Sequence, residues 1–156
     1  MKNYFFILCI ILIFSCKENT NSDSTNEDAQ ASNEKTLSMQ GAWELISYFN
    51  YRSDGTIDTI KSSNTLKQIK MYSPTKVMWS RLRVSDSLDW FGYGDYTAND
   101  SVLTEVLDYG SKAMNNVIKE NKEFTFKLIL EENKFSQISL DEQGNPMFAE
   151  NYKRIE

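Results

Sequence analysis

The stretch "GAWELISYFNY", residues 41–51, carries the first clear structural signal in the chain. Trp43, Leu45, Phe49 and Tyr51 share one parity, which predicts a strand with one apolar face. "SDGT" (53–56) follows at once, and its Asp-Gly step predicts a hairpin turn into a short strand near 56–61. The same grammar repeats downstream. "LKQIKMYS" (66–73) and "TKVMWSRLR" (75–83) flank Pro74, and "LDWFGYGDYT" (88–97) turns at "ND" (99–100) into "VLTEVLDY" (102–109). "FTFKLILE" (124–131) and "KFSQISLD" (134–141) enclose the two residues "EN", and "EQGNP" (142–146) leads into "MFAENYKRI" (147–155). Short strands joined by short links argue for an antiparallel sandwich or barrel. Sequential hairpins favour an up-and-down barrel, because closure removes exposed edges.

Residues 111–121, "SKAMNNVIKEN", break the pattern. Ala113 with Val117, and Met114 with Ile118, stand four apart, which predicts a short helix or a loop with one helical turn.

Working back from Gly41, the composition changes. Residues 17–36 hold nothing apolar larger than alanine and cannot offset their chain entropy by burial. They read as a flexible tether, with a random-coil span of about 25 Å. Before it, Lys2 and the apolar run "YFFILCIILIF" (4–14) read as a signal peptide, residues 1–15. The run is shorter than the roughly 20 residues a spanning helix needs. "IFSC" (13–16) resembles a bacterial lipobox, although Phe14 stands where small residues are usual. The resemblance implies cleavage before Cys16 and lipidation of that cysteine, and Lys17 after it, in place of aspartate, points to an outer-membrane lipoprotein facing the periplasm or the surface. The other reading is an ordinary secretory signal with an incidental cysteine. Cys9 would leave with the leader, so no intrachain disulfide would remain. The organisation expected is thus 1–15 leader, 16–36 lipidated cysteine and tether, and 37–156 barrel.

The chain carries 17 basic and 22 acidic residues, a formal charge of −5, which becomes −6 without Lys2. A nucleic-acid partner is not expected, since phosphate contacts need clustered Lys and Arg. Membrane attachment would rest on acyl chains, worth roughly 0.8 kcal/mol per buried methylene.

"GAW" (41–43) looks like the G-x-W signature of lipocalins and other calycins. The resemblance implies that Arg154, in the last strand, stacks over Trp43 and closes one barrel end. The chain further resembles small bacterial lipocalin-like proteins of unknown function through "GAWELISY", "LKQIKMYSPTKVMW", "GDYTANDSVLTEVLDY" and "FTFKLIL…NYKRIE". Relatives often carry histidine at Lys76 and tryptophan at Tyr152, and the polar piece near 111–121 is extra. The fold class implied is all-β: an antiparallel up-and-down lipocalin-like barrel of eight or nine strands with one short helix or loop insertion.

The chain contains no histidine. Ser-His and Cys-His nucleophile pairs are excluded, and the commonest metal ligand is missing. "FGYGDY" has glycines but no following helix, so it is not a phosphate loop. The carboxylate pairs Asp86/Asp89 and Glu131/Glu132 fall at turns and read as solvated charge, and Asp54/Asp58 lack a dense calcium loop. An enzyme, a metal and a cofactor are not expected.

What remains is a set of aromatic and polar residues on adjacent strands. Trp79, Arg81 and Arg83 share one parity; Trp90 and Tyr96 share another; Glu105, Leu107 and Tyr109 a third. Pointing inward, Trp79, Arg81, Trp90, Tyr96, Glu105 and Tyr109 would line a site for a small, partly hydrophobic ligand, with Arg81 and Glu105 orienting it. Alternatively they face outward, or fill the barrel as a buried network, leaving a protein-interaction module. Either buried arrangement predicts an Arg–Glu contact. An interior space of about 300 Å³ or more separates the two readings in favour of a ligand. Met71, Met78, Phe124 and Phe126 read as core.

Overall fold

A computed structural model describes residues 37–156; the expected leader, Cys16 and the tether lie outside the described residues. Nine strands and one helix follow in order. They are β1 (Gly41–Tyr51), β2 (Ile57–Lys61), β3 (Leu66–Tyr72), β4 (Lys76–Arg83), β5 (Trp90–Ala98) and β6 (Val102–Gly110). After them come α1 (Lys112–Glu120), β7 (Glu123–Leu130), β8 (Lys134–Leu140) and β9 (Pro146–Arg154). Strands β1 and β3 to β9 pair antiparallel in sequence order, and β9 returns to β1, so eight strands close a barrel. Strand β2 stays outside that ring, paired with the second half of β1, while the first half of β1 pairs with β3.

The turns form where the sequence places them. Asp54 accepts hydrogen bonds from the Thr56 amide and hydroxyl beneath the β1–β2 hairpin. Asn99 caps the β5–β6 turn by accepting from Ser101 and Val102. Asp141 holds the β8–β9 turn through the amides of Gln143 and Asn145. Ser111 accepts from the Met114 amide at the start of α1, and the helix lays Met114 into the core.

One barrel end is packed solid. Trp43, fully buried, meets Phe135 edge-on at 4.9 Å between ring centres, and Phe135 stacks on Tyr152 at 4.6 Å. Leu45, Val77, Leu103 and Leu128 fill the space around them. Gly41 has φ 122°, and a side chain there would run into the Glu156 carbonyl, so the close return of the chain's last residues requires glycine.

Two bulges alter which residues face inward. In β1, Leu45 pairs with Tyr152 but Ser47 with Asn151, so Ile46 is an extra residue. Beyond it the parity reverses. Tyr48 becomes the buried residue, while Phe49 and Tyr51 turn to the outer face and meet edge-on, correcting the single apolar parity expected for this strand. In β6, Tyr109 pairs with Tyr93 and Leu107 with Gly94, which leaves Asp108 extra. Met71 and Met78 are also not core: they pair with each other on the outer face and are about half exposed. Phe124 and Phe126 do pack against the core.

Candidate functional site

The polar interior begins on β3. In "LKQIKMY" the inward residues are Leu66, Gln68, Lys70 and Tyr72, while Ile69 and Met71 face out. An alternating strand can present either face to the core, and here the side with the lysine goes in. Lys70 is 2% exposed. Its ammonium donates to Glu105 Oε1 on β6 at 2.7 Å and to Gln137 Oε1 on β8 at 2.8 Å. It also lies over the rings of Phe126 and Tyr152, 5.8 and 5.9 Å from their centres. The Tyr72 hydroxyl donates to the same Glu105 oxygen at 2.6 Å.

A second centre forms around Glu150 on β9. Arg81 donates through Nη2 to Glu150 Oε1 at 2.7 Å and through Nε to Gln68 Oε1 at 2.6 Å. Glu150 Oε2 accepts from Gln137 at 2.9 Å and from the Tyr152 hydroxyl at 2.5 Å. Tyr48 donates to Gln68 at 2.9 Å. Gln137 therefore bridges the two ion pairs into one network. Moving an ion into a protein interior costs several kcal/mol, and this density of partners is what offsets it. Two cations face two carboxylates, so the interior is formally neutral.

Among the described residues, no enclosed side-chain nitrogen or oxygen lacks a partner. The phenols respond to this setting. Burial first, and then the neighbouring Glu105, holds the Tyr72 hydroxyl well above the usual tyrosine range. Burial and Glu150 do the same to Tyr152. Burial pushes Tyr48 up to about 12, with Arg81 pulling the other way.

Above the network the barrel stays open. A cavity of about 230 Å³ runs between the polar floor and an apolar wall that includes Trp79, Trp90, Leu107, Met114, Phe124 and Phe126. It falls short of the roughly 300 Å³ that would separate the two readings on size alone in favour of a ligand, while its lining does include Trp79, Arg81 and Glu105. Helix α1 contributes Met114 and Val117 to the wall, and Val117 reaches solvent. Trp90 is fixed by its indole N–H, which donates to Asp86 at 3.1 Å.

The structure thus gathers Trp79, Arg81, Trp90 and Glu105 around one space. It places the other two expected residues elsewhere. Tyr96 packs against Tyr72 at 4.8 Å and donates to the Ser73 carbonyl, toward the packed end. Tyr109 is half exposed on the outer face beside Tyr93, because Asp108 shifts the register between them. Arg83 also lies at the surface, within ion-pair reach of Asp86. The expected Arg–Glu contact exists with a different partner: Arg81 meets Glu150, and Glu105 meets Lys70. Asp54 and Asp58 serve the hairpin, Asp58 through an ion pair with Arg52.

Gln68, Lys70, Gln137 and Glu150 escaped the sequence reading. A usable signal existed for Glu150. If Arg154 covers Trp43, its parity puts Tyr152, Glu150 and Phe148 inside as well.

No protein-family model matches the chain, and no curated sequence does. A solved lipocalin-like protein from Bacteroides uniformis superposes with a TM-score of 0.50 at 16% identity, covering 74% of this chain and 97% of that one. A protein from Bacteroides eggerthii gives a TM-score of 0.48 at 17% identity, over 74% and 98%. At such identity the first likeness is one of fold, and it agrees with the strand order: residues 37–156 form a lipocalin-like antiparallel barrel with one added strand and one short helix.

Proposed function

We propose that the protein binds a small, partly hydrophobic ligand inside its barrel, and that it does so as a lipoprotein held at the outer membrane through Cys16. The observation that carries the binding reading is the unfilled interior: aromatic walls over a charge-balanced polar floor, which is the composition of a small-molecule site. An eight-stranded barrel is wide enough either to be filled by its own side chains or to hold one small ligand, and here part of the interior is left unfilled. The anchor rests on "IFSC" and on the polar stretch after it. Lys17 after the cysteine, in place of aspartate, favours outer-membrane delivery over inner-membrane retention.

Native mass spectrometry of protein taken from its own membrane is the direct test. A bound small molecule that disappears in Leu107→Trp, a variant that fills the cavity, is the expected result. If no molecule is retained, and no member of a lipid and metabolite panel raises the melting temperature, the binding reading fails. The anchor is tested apart from it, since Cys16→Ser should release the protein from membranes.

A second reading draws on the outer face. Met71, Met78, Tyr93 and Tyr109 form a row across four strands, with Phe91 beside it. Three of the four, Met71, Met78 and Tyr109, are about half exposed, as in a surface that meets another protein. Under that reading, Met78→Lys abolishes partner capture and leaves ligand binding intact.

A further inference from the structure

The network around Glu105 and Arg81 leaves two polar atoms unused. Glu105 Oε1 takes both of that residue's hydrogen bonds, from Lys70 and Tyr72, and Oε2 takes none. Arg81 donates through Nε and Nη2, and Nη1 has no acceptor. Because no enclosed polar atom among the described residues lacks a partner, both atoms must border open space, and both residues line the cavity. The lining of this one chamber therefore includes a residue with a spare acceptor and a residue with a spare donor. They stand opposite each other in charge, and each is already neutralised by a partner of its own, Lys70 for Glu105 and Glu150 for Arg81.

We propose that the interior takes a net-neutral molecule with a hydrogen-bond acceptor for Arg81 Nη1, a donor for Glu105 Oε2, and a flat apolar body against Trp79 and Trp90. This rests on the ligand-binding reading above and narrows it to a chemical class. The charge follows from the balance. An anion or a cation would bring an uncompensated charge into a space whose two ion pairs already cancel, and would have to be desolvated without a counter-charge. A neutral amide, lactam or small zwitterion adds none. A purely apolar molecule would fill the walls and leave Oε2 and Nη1 desolvated without partners, which opposes its binding. Size follows from volume. A cavity of about 150 Å³ holds one benzene ring, so by proportion 230 Å³ holds about nine non-hydrogen atoms. A long acyl chain does not fit that volume.

Three probes of that size differ only in the group on the ring: benzamide, benzoate and benzamidine, with ethylbenzene as an apolar control. Binding to the full-length chain can be read by indole fluorescence and by ligand-observed NMR. The proposal predicts that benzamide binds at least tenfold more tightly than either charged probe and more tightly than ethylbenzene. It further predicts an exchange of preference. Glu105→Gln leaves Lys70 unbalanced and should move the order toward benzoate. Arg81→Gln leaves Glu150 unbalanced and should move it toward benzamidine. A merely structural role for these residues would weaken all probes alike. If a charged probe binds wild-type protein as well as benzamide does, the class is wrong. If ethylbenzene alone binds, the class is wrong and the binding reading stands. If none of the four binds and native mass spectrometry finds nothing, both fail. The wild-type ranking decides the matter even where a variant does not fold.

Discussion

The Arg154 guanidinium lies 4.0 Å from the centre of the Trp43 ring, and it donates to the carbonyls of Ser38, Gln40 and Glu132. One side chain thus covers the indole and ties the segment before β1 to the β7–β8 turn. The Trp43 N–H completes the arrangement by donating to the Met39 carbonyl at 2.8 Å. Trp43→Ala should cost about 3–5 kcal/mol through cavity formation. Arg154→Ala should cost about 2–3 kcal/mol through the lost charged hydrogen bonds and ring contact. In urea titrations the double variant should lose at least about 1 kcal/mol less than the sum; additive losses would deny the coupling.

Lys70 and Glu105 form an ion pair whose side chains are each 3% exposed. Glu105→Leu alone should destabilise by about 3–5 kcal/mol, because Lys70 is left charged and enclosed. Adding Lys70→Met should restore much of that loss, since an apolar pair in the same volume needs no compensation. Chemical denaturation of the two singles and the double measures this. A double variant as weak as the single would show that Gln137 and Tyr72, not the charge pair, dominate the site.

Three buried phenols make the fold sensitive to alkali. The folded state holds the Tyr48, Tyr72 and Tyr152 protons more tightly than the unfolded chain does. Their contribution is therefore fully present below about pH 10, where the unfolded phenols titrate, and is lost as pH climbs toward the folded values. For Tyr48 that window runs up to about 12. Stability measured from pH 9 to 12 should fall, and Tyr152→Phe should fall less steeply. A flat profile would contradict the burial of these hydroxyls.

Gly94 sits beside the β6 bulge, where a side chain would press on the Val106 carbonyl at 2.0 Å and the Leu107 backbone at 2.7 Å. Those are backbone atoms, so the strands must separate to make room. Gly94→Ala should cost about 1–3 kcal/mol or more. Thr97→Ala, exposed on the same strand, should stay within about 0.5 kcal/mol. Thermal melts of the pair check this.

The strand boundaries were legible to within about two residues, because turn residues and period-two alternation both mark them locally. The helix showed through the spacing of Met114 and Ile118. What the sequence did not reveal was sign and phase. "LKQIKMY" alternates cleanly, yet nothing local says that Gln68 and Lys70 go inside; that depends on Glu105 and Gln137 waiting on other strands. Phase was lost at Ile46 and Asp108, single extra residues of ordinary type that no composition rule flags. Tyr109 was misplaced for that reason alone. Trp79, Arg81, Trp90 and Glu105 do line the interior cavity, since each lies before any bulge in its own strand and so keeps the expected parity.

The ring closes through the pairing of β1 with β9, joining Trp43 to Arg154 across nearly the whole described chain. Every other barrel pairing from β3 onward joins consecutive strands. A chain of this kind can build hairpins early and still have no barrel. The closing contact must draw together ends separated by more than a hundred residues, so it carries the largest loop entropy and comes late. Folding on a timescale of about milliseconds to seconds is expected for such non-local topology. Loss of the last strand would leave two open sheet edges, so a truncated chain should self-associate instead of forming a smaller barrel.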